Sequence, residues 1–235
     1  MVVLGVIAAA AGVEIEDESA VITIGGTFVQ DTVFIGTAIF YARMAARPRP
    51  WHFGLRGAHL GWTVLWSFVG LAAFWGFNIV YSAIVTDEGE QTVGEDLGAD
   101  QGLAFVILGA IVVVVMAPIA EEFFFRGFCY RALRSKMNMW FAATIVGVVF
   151  GLIHFTGTDT LPILPSLAVL GFVFCIVYEV TGTLYSVIGL HALNNAIAWG
   201  VETDNAPVAI VFGVLMIAAC FVLPRFVWRD APALR

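Results

Sequence analysis

A chain of 235 residues that is 60% hydrophobic and only 12% charged, with a mean hydropathy of +0.94 and a formal net charge of −7, lies far from soluble-domain composition. At about 20 apolar residues per crossing, the length leaves room for one integral-membrane domain over 1–235 and none for a separate soluble domain. The expected fold is all-α, a polytopic transmembrane bundle of seven to eight helices, and no nucleic-acid partner is expected.

Residues 1–13 (MVVLGVIAAAAGV) are apolar but short for a crossing and lack a basic n-region, which suits the end of a truncated first helix. Apolar runs then predict spans at about 21–42, 60–85, 103–125, 140–156, 163–178, 184–200 and 207–224. Basic residues gather at one end: Arg43, Arg47, Arg49 and Arg56, then Arg126, Arg131, Arg134 and Lys136, then Arg225, Arg229 and Arg235. Acids occupy the other end, from Glu14 to Glu18, Asp87 to Asp100, and at Asp159, Glu202 and Asp204. By the positive-inside rule the basic end and the C-terminus are cytoplasmic. Cys129, Cys175 and Cys220 are spaced too widely for a metal knuckle and read as packing residues.

Ionisable side chains at membrane depth are costly, and here they are few: Asp31, Glu121, Glu122, Arg126, His154 and His191, with Asn194 and Asn195 as neutral companions. Glu122 and Arg126 are four apart and can pair on one helix face, while Glu121 is rotated out of that pair. Phe150 and His154 repeat the spacing, as do His191 and Asn195, which present an imidazole and an amide together. Asp31, in TFVQDTVFIG, is expected to bond a nearby Thr or Gln. Each of these groups alone fits an interfacial charge or interhelical polar contact. Together a carboxylate, two imidazoles and an amide supply a base, a holder for water and oxyanion donors. The same Glu121, His154 and His191 could instead bind zinc with an open position.

EEFFFR (Glu121 to Arg126), FGLIH (Phe150 to His154) and HALNN (His191 to Asn195) resemble the EExxxR, FxxxH and HxxxN motifs of the CPBP intramembrane proteases. That family includes the type II CAAX prenyl endopeptidases and relatives labelled Abi. The resemblance covers about 100–200, the expected catalytic core, and WHFGLRGAHLGW resembles the interfacial stretch that such proteins carry before a span. It implies Glu121 as general base on water, His154 holding that water, His191 and Asn195 at the oxyanion, and Glu122 with Arg126 in support. It also implies a glutamate-type protease without a bound metal, with zinc as the less favoured version.

The expected substrate is a peptide anchored in the bilayer, prenylated or not, and a monomer would suffice. The cavity is expected to open toward the basic, cytoplasmic end. The alternative is a non-proteolytic membrane protein, either a proton-relay transporter or a bacteriocin-immunity scaffold, although no inverted repeat is visible.

Overall fold

The computed structural model describes residues 19–85, 89 and 92–226; the apolar segment 1–13 lies outside them. Eight helices follow in order: α1 (Ala20–Ala45), α2 (Leu60–Ile84), the short α3 (Val93–Asp96), α4 (Leu103–Arg134), α5 (Met139–Leu152), α6 (Leu164–Thr181), α7 (Leu184–Glu202) and α8 (Ala206–Phe226). The described residues contain no strand. All seven expected spans correspond to helices. Five helices, α1, α2, α4, α6 with its lead-in turn, and α8, are long and apolar enough to cross a membrane. The chain is a multi-pass membrane protein.

Two boundaries differ from the sequence reading, and both shape the site. Helix α4 does not stop near 125 but runs to Arg134, so the EEFFFR acids sit within a 32-residue helix rather than at its end. Helix α5 stops at Leu152 after 14 residues, roughly 21 Å of rise against a hydrocarbon core of about 30 Å. The chain after it, including His154 and the 3-10 turn Thr158–Ile163, is therefore irregular backbone close to membrane depth. Such backbone is tolerated where it lines a cavity. Helix α2 ties it down, Tyr81 donating its hydroxyl to the Pro162 carbonyl (2.8 Å) and Asn78 accepting from Ser166 (2.8 Å).

Helix α4 is α-helical at both ends and over Ala117–Glu122, but π-helical over Ile111–Met116 and Phe123–Tyr130. The first π segment has a chemical reason. The Ala117 N–H reaches back five residues to the Val112 carbonyl, and in that register the next donor should serve Val113. That donor would come from Pro118, which has no N–H. The Val113 carbonyl is satisfied instead from another helix, by Nδ2 of Asn195 at 2.9 Å.

Helices α5 and α6 pack at glycines. A Cβ at Gly147 would lie 2.6 Å from the Ala168 carbonyl oxygen, and one at Gly151 would lie 2.8 Å from that of Leu164. This GxxxG contact sets Phe150 and His154 against the core. The phenylalanines of EEFFFR pack inside rather than toward lipid. Phe125 is buried edge-on to Phe150, Phe124 stacks on Phe34, and Phe123 meets Phe53.

At the basic end the stretch before α2 is latched to the bundle. Gly54 adopts φ +88°, and a side chain there would collide with the Tyr178 ring. Its carbonyl accepts from Leu184 N–H (2.8 Å), the Phe53 carbonyl from Tyr178 (3.1 Å), and the Arg56 carbonyl from Thr183 (2.6 Å). Glu179, an acid at this end, accepts from both Tyr130 and Arg134.

Candidate active site

The floor of the site is a buried ion network. Glu122 and Arg126 are both fully buried and pair through Oε1 and Nη1 at 2.7 Å, as their spacing of four requires. Arg126 also donates from Nη2 to the Gly171 carbonyl (3.0 Å), and its guanidinium lies over Phe150 and Phe174, 4.6 and 5.3 Å from the ring centroids. Gly171 sits where α6 meets α5, so Arg126 joins the acid-bearing helix to the helix pair that carries FxxxH.

Glu122 Oε1 takes a second hydrogen bond, from His191 Nδ1 at 2.8 Å. A carboxylate only accepts, which assigns the proton to Nδ1 and turns Nε2 away from the floor. Nε2 faces Glu121, 3.9 Å from its Oε2, too long for a direct hydrogen bond. Glu121 is buried at 6% exposure, and that Oε2 has no hydrogen-bond partner among the described residues. The adjacent acids therefore have different surroundings: one is neutralised in the floor and the other stands over it.

His154 lies in the turn just past α5, not on the helix. Its own N–H bonds to Gly151, which leaves the Phe150 carbonyl at the helix terminus without the usual backbone donor. The His154 ring supplies one, with Nδ1 2.7 Å from the Phe150 oxygen. The spacing of FxxxH is thus that of an imidazole capping its own helix. The cap fixes the tautomer and leaves Nε2 as an acceptor.

Glu121, His154, His191 and Asn195 all line one cavity of about 300 Å³, together with Phe150 and Asn194. Glu122 and Arg126 lie beneath it and are not part of its wall. Asn195 gives one amide proton to Val113 and retains a second. Three further contributors were not singled out from the sequence: Thr27 and Gln30 on α1, and Glu202 at the end of α7. Glu202 lines the mouth, where it accepts from the Gly94 N–H of α3 at 2.6 Å. No spacing motif marks them, because they reach the cavity only through tertiary packing.

Two expectations are corrected. The cavity was expected to open at the basic end, but its other polar lining residues, Thr23, Thr92, Asp96, Thr156 and Thr160, lie with Glu202 at the acidic-loop end. The short α5 places the loop after it, with Thr156 and Thr160, in the cavity wall on that side, while the buried ion network lies beneath the cavity on the other. Asp31 was expected to bond a Thr or Gln, yet neither of its buried oxygens has a hydrogen-bond partner among the described residues. The nearby hydroxyls of Thr27 and Thr32 bond helix carbonyls instead.

The zinc trio fits poorly. Among the described residues no three His, Cys, Asp or Glu side chains are grouped to hold a metal ion, although Glu121, His154 and His191 share a cavity.

Residues 103–197 match the family model described as type II CAAX prenyl endopeptidase Rce1-like, so the resemblance read from the three motifs holds over the segment that carries them. The chain is 30% identical over 143 residues to the Bacillus subtilis (strain 168) protein named "Putative membrane peptidase YdiL", covering 58% of this chain and 55% of that protein. It is 33% identical over 96 residues to "Uncharacterized protein YyaK" of the same organism, covering 39% of this chain and 32% of the relative. The chain thus spans about half or less of the length of these curated relatives. No solved structure matches.

Proposed function

We propose that the chain is an intramembrane endopeptidase of the CAAX type II class, in which Glu121 activates a water for attack on a peptide bond of a membrane-anchored substrate. The observation that carries this reading is the single cavity shared by Glu121, His154, His191 and Asn195. In this reading the water gives one proton to Glu121 and hydrogen-bonds through the other, which it keeps, to His154 Nε2, the acceptor left by the Phe150 cap. The water oxygen adds to the peptide carbonyl, and the resulting oxyanion is met by the remaining N–H of Asn195 and by Nε2–H of His191 in its doubly protonated form, its Nδ1–H staying on Glu122. Glu121 then returns its proton to the leaving amine, and the C–N bond breaks. Glu122 and Arg126 hold His191 in place from below and touch no reacting atom.

This is general acid–base chemistry by the chain's own groups, with no step through a metal. Activity that survives chelation, in protein shown by elemental analysis to be metal-free, is the expected result, and loss with restoration by zinc would reverse it.

The primary test is proteolysis in proteoliposomes with two reporters, a farnesylated CAAX peptide and an unprenylated peptide on a single transmembrane helix. Glu121→Gln and His154→Ala should each abolish cleavage while near-UV circular dichroism stays native. Full turnover by either variant refutes the assignment. The side of entry selects the substrate. Read by the positive-inside rule, the basic residues favour a mouth on the outer face, which suits an exported, membrane-anchored peptide. The family match favours a prenylated chain, which requires the mouth to be cytoplasmic. Impermeant thiol labelling of Thr92→Cys in a background without the native cysteines separates the two.

A further inference from the structure

The mechanism above uses Glu121 and Glu122, but a third carboxyl group belongs to the same place. Asp31 is on α1 with 3% exposure, and both of its oxygens are buried without a hydrogen-bond partner among the described residues. The face it occupies is fixed by its neighbours on the helix. Thr27, one turn earlier, lines the cavity, and Phe34, one turn later, stacks on Phe124 at 4.8 Å and meets Phe125 edge-on at 5.9 Å. Asp31 therefore points toward the stretch of α4 that carries the EEFFFR acids, and it lies within electrostatic range of Glu121 and His191.

Among the described residues, the arginine of this cluster is engaged elsewhere. Arg126 pairs with Glu122 and donates to Gly171. That leaves four buried carboxyl oxygens in this cluster without a hydrogen-bond partner among the described residues: two on Asp31, Oε2 of Glu121 and, in the floor, Oε2 of Glu122. Two ionised carboxylates facing each other in a water-poor site would each bury an unpaired charge, a cost that proteins avoid. Carboxyl groups so placed hold one proton between them, and a buried water satisfies such groups where they do not touch.

We propose that Asp31 is a positioning residue for Glu121: the two carboxyl groups share one proton through a bound water, and this bridge fixes which Glu121 oxygen faces the water that it activates. The proposal rests on the reading of Glu121 as the base. No net proton is consumed, since the shared proton stays between the two acids while Glu121 accepts and returns the substrate-side proton.

The experiment combines kinetics with infrared spectroscopy on the full chain in proteoliposomes. Asp31→Asn keeps the shape but removes the acid proton. It should lower kcat on the cleaved reporter by about 10- to 100-fold with KM unchanged, as expected when a reacting group is misaimed. A merely structural role would reduce the folded fraction and leave the kcat of the folded protein intact. In the carboxylic-acid C=O region, the wild type should show a band that Asp31→Asn abolishes and Glu121→Gln shifts. Asp31→Asn turning over like the wild type, or an acid band indifferent to both substitutions, overturns the proposal. If Glu121→Gln still cleaves, the base assignment fails, while the infrared bands report on the shared proton independently.

Discussion

Replacing Arg126 by Met tests the ion network where it is most exacting. The substitution removes the cation from a fully buried Glu122 and the Nη2 donor from the Gly171 carbonyl, while leaving an apolar side chain of similar length over Phe150 and Phe174. Breaking a buried pair from one side costs roughly 3–5 kcal/mol, because an uncompensated charge stays behind. The orphaned carbonyl adds about 1 kcal/mol, so the total is about 4–6 kcal/mol. That is a large part of a native stability of about 5–15 kcal/mol. The double variant Glu122→Gln with Arg126→Met removes both charges and still offers His191 an acceptor. It should lose only about 1–2 kcal/mol. Thermal unfolding in detergent, followed by near-UV circular dichroism, ranks the three proteins. A single variant as stable as the double would show that Glu122 carries no charge needing compensation, and the floor described above would be wrong.

Other consequences follow from the same contacts. Pro118→Ala supplies the N–H that Val113 lacks, so it should release Asn195 and lower turnover without unfolding the protein; amide exchange at residue 118 and kcat measure the two effects. Asn195→Ala should lower kcat by roughly 100- to 1000-fold if its second N–H serves the oxyanion, and by far less if its only partner is Val113. Gly147→Val drives a side chain into the Ala168 carbonyl, and prising α5 from α6 should cost about 1–3 kcal/mol and cleavage together, read by unfolding and reporter assays.

Much of this site was legible because spacing on a helix is a sequence property. Glu122 with Arg126 pairs as its interval demands, and the seven apolar runs each correspond to a helix, five of them long and apolar enough to cross a membrane. The rest depended on where regular structure fails. Nothing in an apolar run announces that Pro118, by lacking an N–H, leaves a carbonyl for Asn195 to satisfy across the bundle. FxxxH reads as one helical face, yet His154 sits just beyond the helix and caps it. The cavity wall depends on α5 ending after 14 residues, before the run of hydrophobic side chains does, since Ile153 and Phe155 still follow it. Asp31 could be seen to be costly, but only packing shows that its hydroxyl neighbours are already engaged.

The zero exposure of Glu122 and Arg126 has a bearing on the membrane as well as on the reaction. Hydrolysis inside a bilayer needs water, and water that ran through to the far side would short-circuit any ion gradient that the cell maintains. Charged groups interlocked beneath Glu121 form a floor under this cavity that excludes water at that point. An ion pair of zero exposure under the cavity lets the insulation of the membrane coexist with a wet site of the kind proposed.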